Sequence, residues 1–216
     1  MAAGAGFTSE AVRVTERIRN EIIDGVRAPG SKLVERDLAL ELGVSRLPVR
    51  EALQALVAEG IVTPRPRSWA IVREFTASDI ADLIEVRASL EVLTFKLAAQ
   101  RHTRSALAEL REALDDEVRA AAAGEAREAR RAGVRFHEIV TRMAGNELLL
   151  EVQASLSARM RWLLSQHDDL EGIAQEHAEL YEAIASRNVG GMEPLVLAHL
   201  ETSRANAAEA TGHRLA

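Results

Sequence analysis

Arg46, Arg50 and Gln54 recur every four residues, and His137, His177 and His199 each stand among apolar residues at helical spacing. The first set shares one face of a helix whose other face is Val49, Leu53, Leu56 and Val57. Guanidinium forks and a carboxamide on an exposed helix suit the major groove of DNA, arginine meeting guanine edges or phosphates and Gln meeting adenine. The plainer alternative is a helical hairpin with solvated arginines. The second set offers imidazole nitrogen. His177 shares a face with Leu180, Tyr181 and Ile184, His137 with Val140 and Ala144, and His199 with Leu195, Val196 and Thr202. Three imidazoles from three helices could converge on Zn²⁺ or a similar ion, whereas any one alone reads as a hydrogen-bonded core histidine. His102, His167 and His213 fall at helix ends or in the tail and read as solvated. A metal-dependent enzyme using the His137/His177/His199 centre to activate water is the alternative function. No HExxH-type helix or other catalytic signature accompanies it, so the chain reads as a non-enzyme.

The elements that must position these residues follow from turn and cap residues. Met1 to Phe7 reads as a frayed tail. Thr8 or Ser9 caps a first helix with the stripe Val12, Ile18, Ile22, ending near Gly25. In residues 35–60, Leu38, Ala39 and Leu42 form a short stripe, Gly43 takes the left-handed turn, Ser45 is the N-cap and Pro48 lies in the first turn of the next helix. That is a helix-turn-helix. After Gly60, Ile61–Thr63 and Ala70–Arg73 read as two strands of a wing, which Pro64 and Pro66 confine to an edge ribbon. The winged helix occupies residues 8–75.

Residues 76–208 read as all-helical. Thr76 or Ser78 caps a helix running to about Arg101, with Ile80, Leu83, Ile84, Leu90, Leu93 and Leu97 inside. Further helices are expected at about 104–122, 126–144, 147–165, 170–187 and 191–208, and short connections make them an antiparallel bundle of about six. The fold class is therefore mainly α, a winged helix-turn-helix followed by this bundle.

Composition agrees. Hydrophobic residues make up 47% of 216 but aromatics only 3%, the profile of helix-on-helix packing. There are no cysteines, which excludes disulfides and thiolate metal sites. No run is long and apolar enough to span a bilayer and no signal pattern opens the chain, so a cytoplasmic location is expected. The net charge of −6 is unevenly divided. Residues 1–77 hold eleven Lys/Arg and ten Asp/Glu, the remainder sixteen and twenty-three. The acidic excess lies outside the helix-turn-helix and does not exclude nucleic acid.

The phrases APGSKLVERDLA and GVSRLPVREAL, in combination, resemble the DNA-binding domain of GntR-family bacterial transcription regulators. The remainder resembles the FadR-type effector domain, FCD. Its marks are Val86-Arg87 with Glu91, Phe136-His137, Gly145-Asn146, Glu176-His177 with Ala183-Ile184, and Ala198-His199-Leu200. The resemblance runs from about residue 8 to 208. It implies a homodimeric regulator, a repressor by expectation, that binds palindromic double-stranded operator DNA and responds to a small organic acid in the bundle. Arg36, Arg46 and Arg50 fall where the family contacts DNA, Arg36 for phosphate. Arg87 matches an arginine that engages an effector carboxylate; the alternative is an intrahelical pair with Glu91.

The resemblance also implies a metal held by three histidines at the positions of His137, His177 and His199, together with an Asp four residues before the first. That position is Gly133 here, so the fourth protein ligand is absent, and three neutral imidazoles favour Zn²⁺ or Ni²⁺ over Mn²⁺. In the wing, Trp69 aligns with a glycine of the family pattern. It is either a hydrophobic anchor or a different DNA contact.

Overall fold

The computed structural model describes residues 9–65 and 69–212. The chain divides into two compact units, one of residues up to 74 with 157–159, the other of 75–156 and 160 onward.

In the first unit α1 (Glu10–Ile23) is capped by Ser9, whose hydroxyl accepts from the Val12 amide. Its buried stripe is Val14, Thr15, Ile18 and Ile22. Val12 is exposed, contrary to expectation, because the i+4 row through Ile18 and Ile22 passes Val14 instead. A three-stranded antiparallel sheet follows the order β1-β3-β2, from β1 (Lys32–Val34), β2 (Val62–Arg65) and β3 (Trp69–Val72). The expected wing had two strands; β1 is an addition, pairing Leu33 with Ala70 and Val34 with Trp69. Pro64 lies in the edge strand β2, where a missing N–H breaks no ladder. Thr8, Pro66, the first seven residues and His213 lie outside the described residues.

Between β1 and β2 come α2 (Glu35–Leu42) and α3 (Arg46–Ala58). Gly43 ends α2 at φ +67°, with its amide on the Leu40 carbonyl, so the chain turns steeply into α3. Ser45 has the extended backbone of an N-cap, yet its side chain makes no cap hydrogen bond. Pro48 explains this correction: it is the third residue of α3, and one of the two amides an N-cap side chain can reach does not exist there. Pro48, Val49, Ala52, Leu53 and Leu56 are buried, while Val57 is only partly so.

Among the described residues seven helices follow: α4 (Ala77–Arg101), α5 (Arg104–Ala122), α6 (Ala126–Met143), α7 (Glu147–Ala154), α8 (Ser157–Leu164), α9 (Leu170–Ala185) and α10 (Met192–Gly212), all in the second unit but for the first three residues of α8. Thr76 and Asp79 form a reciprocal capping box at the head of α4. The helix expected over 147–165 is broken into α7 and α8. The Ser155 hydroxyl donates to the Val152 carbonyl and the Leu156 amide bonds Gln153, a tightened turn that ends α7. Phe95, Leu110, Leu114, Phe136, Val140, Leu180, Ile184, Val196 and Leu200 make the core.

On α4 the buried row is Ile80, Leu83, Arg87, Glu91, Thr94, Phe95 and Ala98. Leu93, expected inside, is 45% exposed, and Ile84, Leu90 and Leu97 are intermediate. The inward row runs through two charged residues, so counting apolar positions traced a neighbouring face. No helix among the described residues is long and apolar enough to cross a membrane.

Candidate nucleic-acid interface and histidine centre

The outer face of α3 carries Arg46, Arg50 and Gln54, all exposed. The Arg46 and Arg50 side chains are 57% and 51% accessible. Burial of Val49, Leu53 and Leu56 fixes the rotation of the helix and thereby points the arginine row at solvent. Ser45 is exposed at the head of α3. Arg36 stands in the first turn of α2, highly exposed, paired with the adjacent Asp37 at 2.9 Å.

One residue of this face escaped sequence reading. Glu35, the first residue of α2, is buried, and its carboxylate gathers both arginines. Arg50 donates from Nε at 3.0 Å to Oε1 and from Nη2 at 3.1 Å to Oε2, and Arg46 adds Nη2 at 3.2 Å to Oε2. The Arg50 hydrogen bonds, opposed by burial and helped by Arg46, hold the Glu35 carboxyl below the usual carboxylate range. An acidic residue in a first helical turn looks like ordinary dipole complementation, so its sequence gave no signal of this role. Trp69 is half-buried in β3, with the Lys32 ammonium 5.4 Å from its ring centre.

In the second unit α6, α9 and α10 bring His137, His177 and His199 together, all buried. One nitrogen from each lies within 4.8 Å of the others. The outer nitrogens face carboxylates. His177 Nδ1 donates to Glu117 Oε2 at 2.7 Å and His199 Nδ1 to Glu176 Oε2 at 2.7 Å, while His137 Nδ1 lies 3.5 Å from Glu91 Oε1. A proton fixed on Nδ1 leaves the Nε2 lone pair of His177 and His199 for the interior. His137 Nε2 and His177 Nε2 face each other at 3.1 Å, and the buried Nε2 of His199 has no hydrogen-bond partner among the described residues.

Burial, then neighbouring positive groups, push the His137 and His199 imidazoles well below their usual value. They are neutral, the form a metal requires. The unpartnered Nε2 of His199, beside the Nε2 atoms of His137 and His177 that share one hydrogen bond, gives three inward nitrogens that fit a divalent cation once that proton is released. Nothing in the donor set is thiolate, so borderline ions such as Zn²⁺ and Ni²⁺ match it best.

Arg87 borders this centre on α4. Its side chain is wholly buried and its Nε donates to Glu91 Oε1 at 2.7 Å, so the intrahelical pair exists but is sealed from solvent. Nη1 and Nη2 of Arg87 have no hydrogen-bond partner among the described residues.

His167, expected to be solvated, is buried, with Nε2 3.1 Å from the Ser203 hydroxyl. Arg130 ties down the α8–α9 connection that carries it, with Nε donating to the His167 carbonyl and Nη2 to Asp168. Burial, with Arg87 and His177 nearby, lowers the His167 imidazole to about 3. His102 remains partly exposed. A small cavity beside the centre is lined by Glu117, Gly133, Leu164, His167, Ile173 and His177.

Comparison with known proteins agrees with both units. Residues 10–72 match the gntR family of bacterial regulatory proteins, and residues 82–202 match the FCD domain. The Nta operon transcriptional regulator of Aminobacter aminovorans is 34% identical over 178 residues, covering 80% of this chain and 82% of that protein. The gluconate operon transcriptional repressor of Bacillus licheniformis is 29% identical over 190 residues, covering 83% and 77%. A solved GntR transcriptional regulator from Rhodococcus sp. RHA1 superposes with a TM-score of 0.77 at 27% identity, covering 94% of this chain and 99% of that one. The chain therefore belongs to the GntR family with an FCD domain, and it is a transcriptional regulator rather than an enzyme.

Proposed function

We propose that this regulator is a cytoplasmic repressor whose hold on operator DNA is set by a small organic acid bound in the FCD unit. Residues 8–75 are the DNA-binding part and 76–208 the effector and dimerisation part. Arg46, Arg50 and Gln54 read base edges, while Arg36 and Ser45 engage phosphate. Two copies on a palindromic operator place their recognition helices about one turn apart, ~34–36 Å. Half-exposed Val86, Leu90, Leu93 and Leu97 on α4 offer an apolar stripe for the second copy.

The observation that carries the effector reading is Arg87, a sealed guanidinium with two nitrogens lacking partners among the described residues. A buried cation with donors to spare fits an incoming carboxylate bidentately. His137, His177 and His199 would hold a divalent ion through Nε2, and such an ion supplies an open Lewis-acid position for a second effector oxygen. Effector binding favours one arrangement of the helices and so shifts how the recognition helices are presented.

Duplexes selected from random DNA, followed by fluorescence anisotropy, test the reading. Tight, salt-dependent binding that weakens on adding one of a panel of short aliphatic carboxylic acids is the expected result. Acid sensitivity should vanish in Arg87→Met combined with Glu91→Leu, which leaves no buried charge unpaired, while DNA affinity remains. An effect of the acid that persists without the guanidinium would remove Arg87 from the site.

A further inference from the structure

Position 133 on α6 has no side chain, and the room it leaves is occupied. A Cβ built there would lie 2.7 Å from Oε1 of Glu117 and 3.4 Å from Cε1 of His177. Glu117 reaches this space from α5 and is itself buried. Its other oxygen, Oε2, accepts from His177 Nδ1 at 2.7 Å, while Nε2 of the same ring points to His137 Nε2 at 3.1 Å. One carboxylate thus abuts Gly133, on the wall of the small cavity beside the centre, and holds one of the three imidazoles.

We propose that Glu117 is the positioning carboxylate of the histidine centre, and that Gly133 and Glu117 form a matched pair in which the missing side chain of one makes room for the other. The proposal rests on the metal reading above. The physical basis has two parts. A carboxylate on Nδ1 keeps the proton there, holds the ring plane and raises the basicity of Nε2, and losing such a partner costs roughly 10–100-fold in metal affinity. A centre with no carboxylate from its own α6 gains negative charge close by without spending a coordination position on it, so a position stays open for an effector. Any residue larger than glycine at 133 must displace Glu117, since a Cβ at 2.7 Å from a carboxylate oxygen is inside contact distance.

The test uses the full chain, metal-free, titrated with Co²⁺ and with Zn²⁺ against a chromophoric chelator, with the visible spectrum of the Co²⁺ form as a second readout. Wild type should take up one ion per chain. Glu117→Ala should weaken it about 10–100-fold. Glu117→Gln keeps an acceptor for Nδ1–H and should lose less. Gly133→Asp alone should weaken binding by displacing Glu117, while Gly133→Asp with Glu117→Ala should recover most of the affinity, with an altered Co²⁺ spectrum. In the metal-free protein, nitrogen NMR of His177 should show a single Nδ1–H tautomer that becomes mixed in Glu117→Ala, a change that reads ring orientation even in a weakened fold. Wild-type uptake with His177→Ala as tight as wild type, or no uptake at all, overturns the centre and the pair with it. Uptake that depends on His177 but is indifferent to Glu117→Ala, or losses in the two single variants that simply add in the double, overturns the pair alone.

Discussion

Replacing Arg87 by Met isolates the energetics of the sealed ion pair on α4. Arg87 is 0% and Glu91 4% accessible, and their N–O distance is 2.7 Å. An exposed i,i+4 pair contributes about 0.3–0.5 kcal/mol. This pair is of another kind, because removing the guanidinium strands a carboxylate in the interior. Its remaining neighbour, the His137 imidazole at 3.5 Å, is neutral and cannot replace the charge. Breaking a buried pair by deleting one partner costs about 3–5 kcal/mol. For a unit of this size each kcal/mol moves the melting temperature by about 3–4 °C, so the FCD transition should fall by roughly 10–20 °C. Trp162, buried in that unit and stacked on Phe75, reports the transition by fluorescence, and calorimetry checks it. Arg87→Met combined with Glu91→Leu should recover most of the loss, since apolar side chains of similar volume often replace such pairs without net cost. A drop of less than about 1 kcal/mol in the single variant, or a double variant as weak as the single, would refute the reasoning.

Three further outcomes are expected. Arg50→Ala should cost about 1–3 kcal/mol of base discrimination, whereas Arg36→Ala should weaken all sequences alike and lower the salt slope by about one; anisotropy at several salt concentrations separates them. Because Arg50 and Arg46 hold Glu35 below the unfolded carboxylate value of about 4.3, its stabilisation is full above that pH and is lost as pH falls through the lower folded value. Urea titrations of wild type and Glu35→Gln should accordingly differ most near neutrality and converge in acid; a difference that grows in acid would contradict the assignment. Gly43→Ala should destabilise the DNA-binding unit by about 1–2 kcal/mol, because φ is +67° and nothing lies near the added methyl, leaving backbone strain as the whole effect.

The helix-turn-helix was legible because its signals agree: a stripe, a left-handed glycine and a proline at a tolerated position all mark the same turn. The three histidines were legible for a similar reason, each lying inside an apolar helical face. What could not be read were side chains whose meaning depends on a distant partner. Glu35 and Glu117 look like solvated helix acids until α3 and α9 are in place. His167 stands in a short connection, and the contacts that hold it inside come from distant residues, Arg130 at its carbonyl and Ser203 at its ring. β1 is three residues long, too short to show an alternation, and β3 alone defines it. Leu93 misled for the opposite reason: a large apolar residue on a helix need not face its own core when a second stripe is present.

Glu35 has one more consequence. Arg50 spends its Nε edge on that carboxylate, so the opposite edge of the guanidinium is what remains to meet a base pair. A long, wandering side chain is thereby anchored before any duplex arrives, and up to ~2 kcal/mol of rotamer freedom is surrendered during folding instead of at each encounter. Such a fingertip is quick to recognise its letter and poor at accepting another, which favours fidelity over breadth.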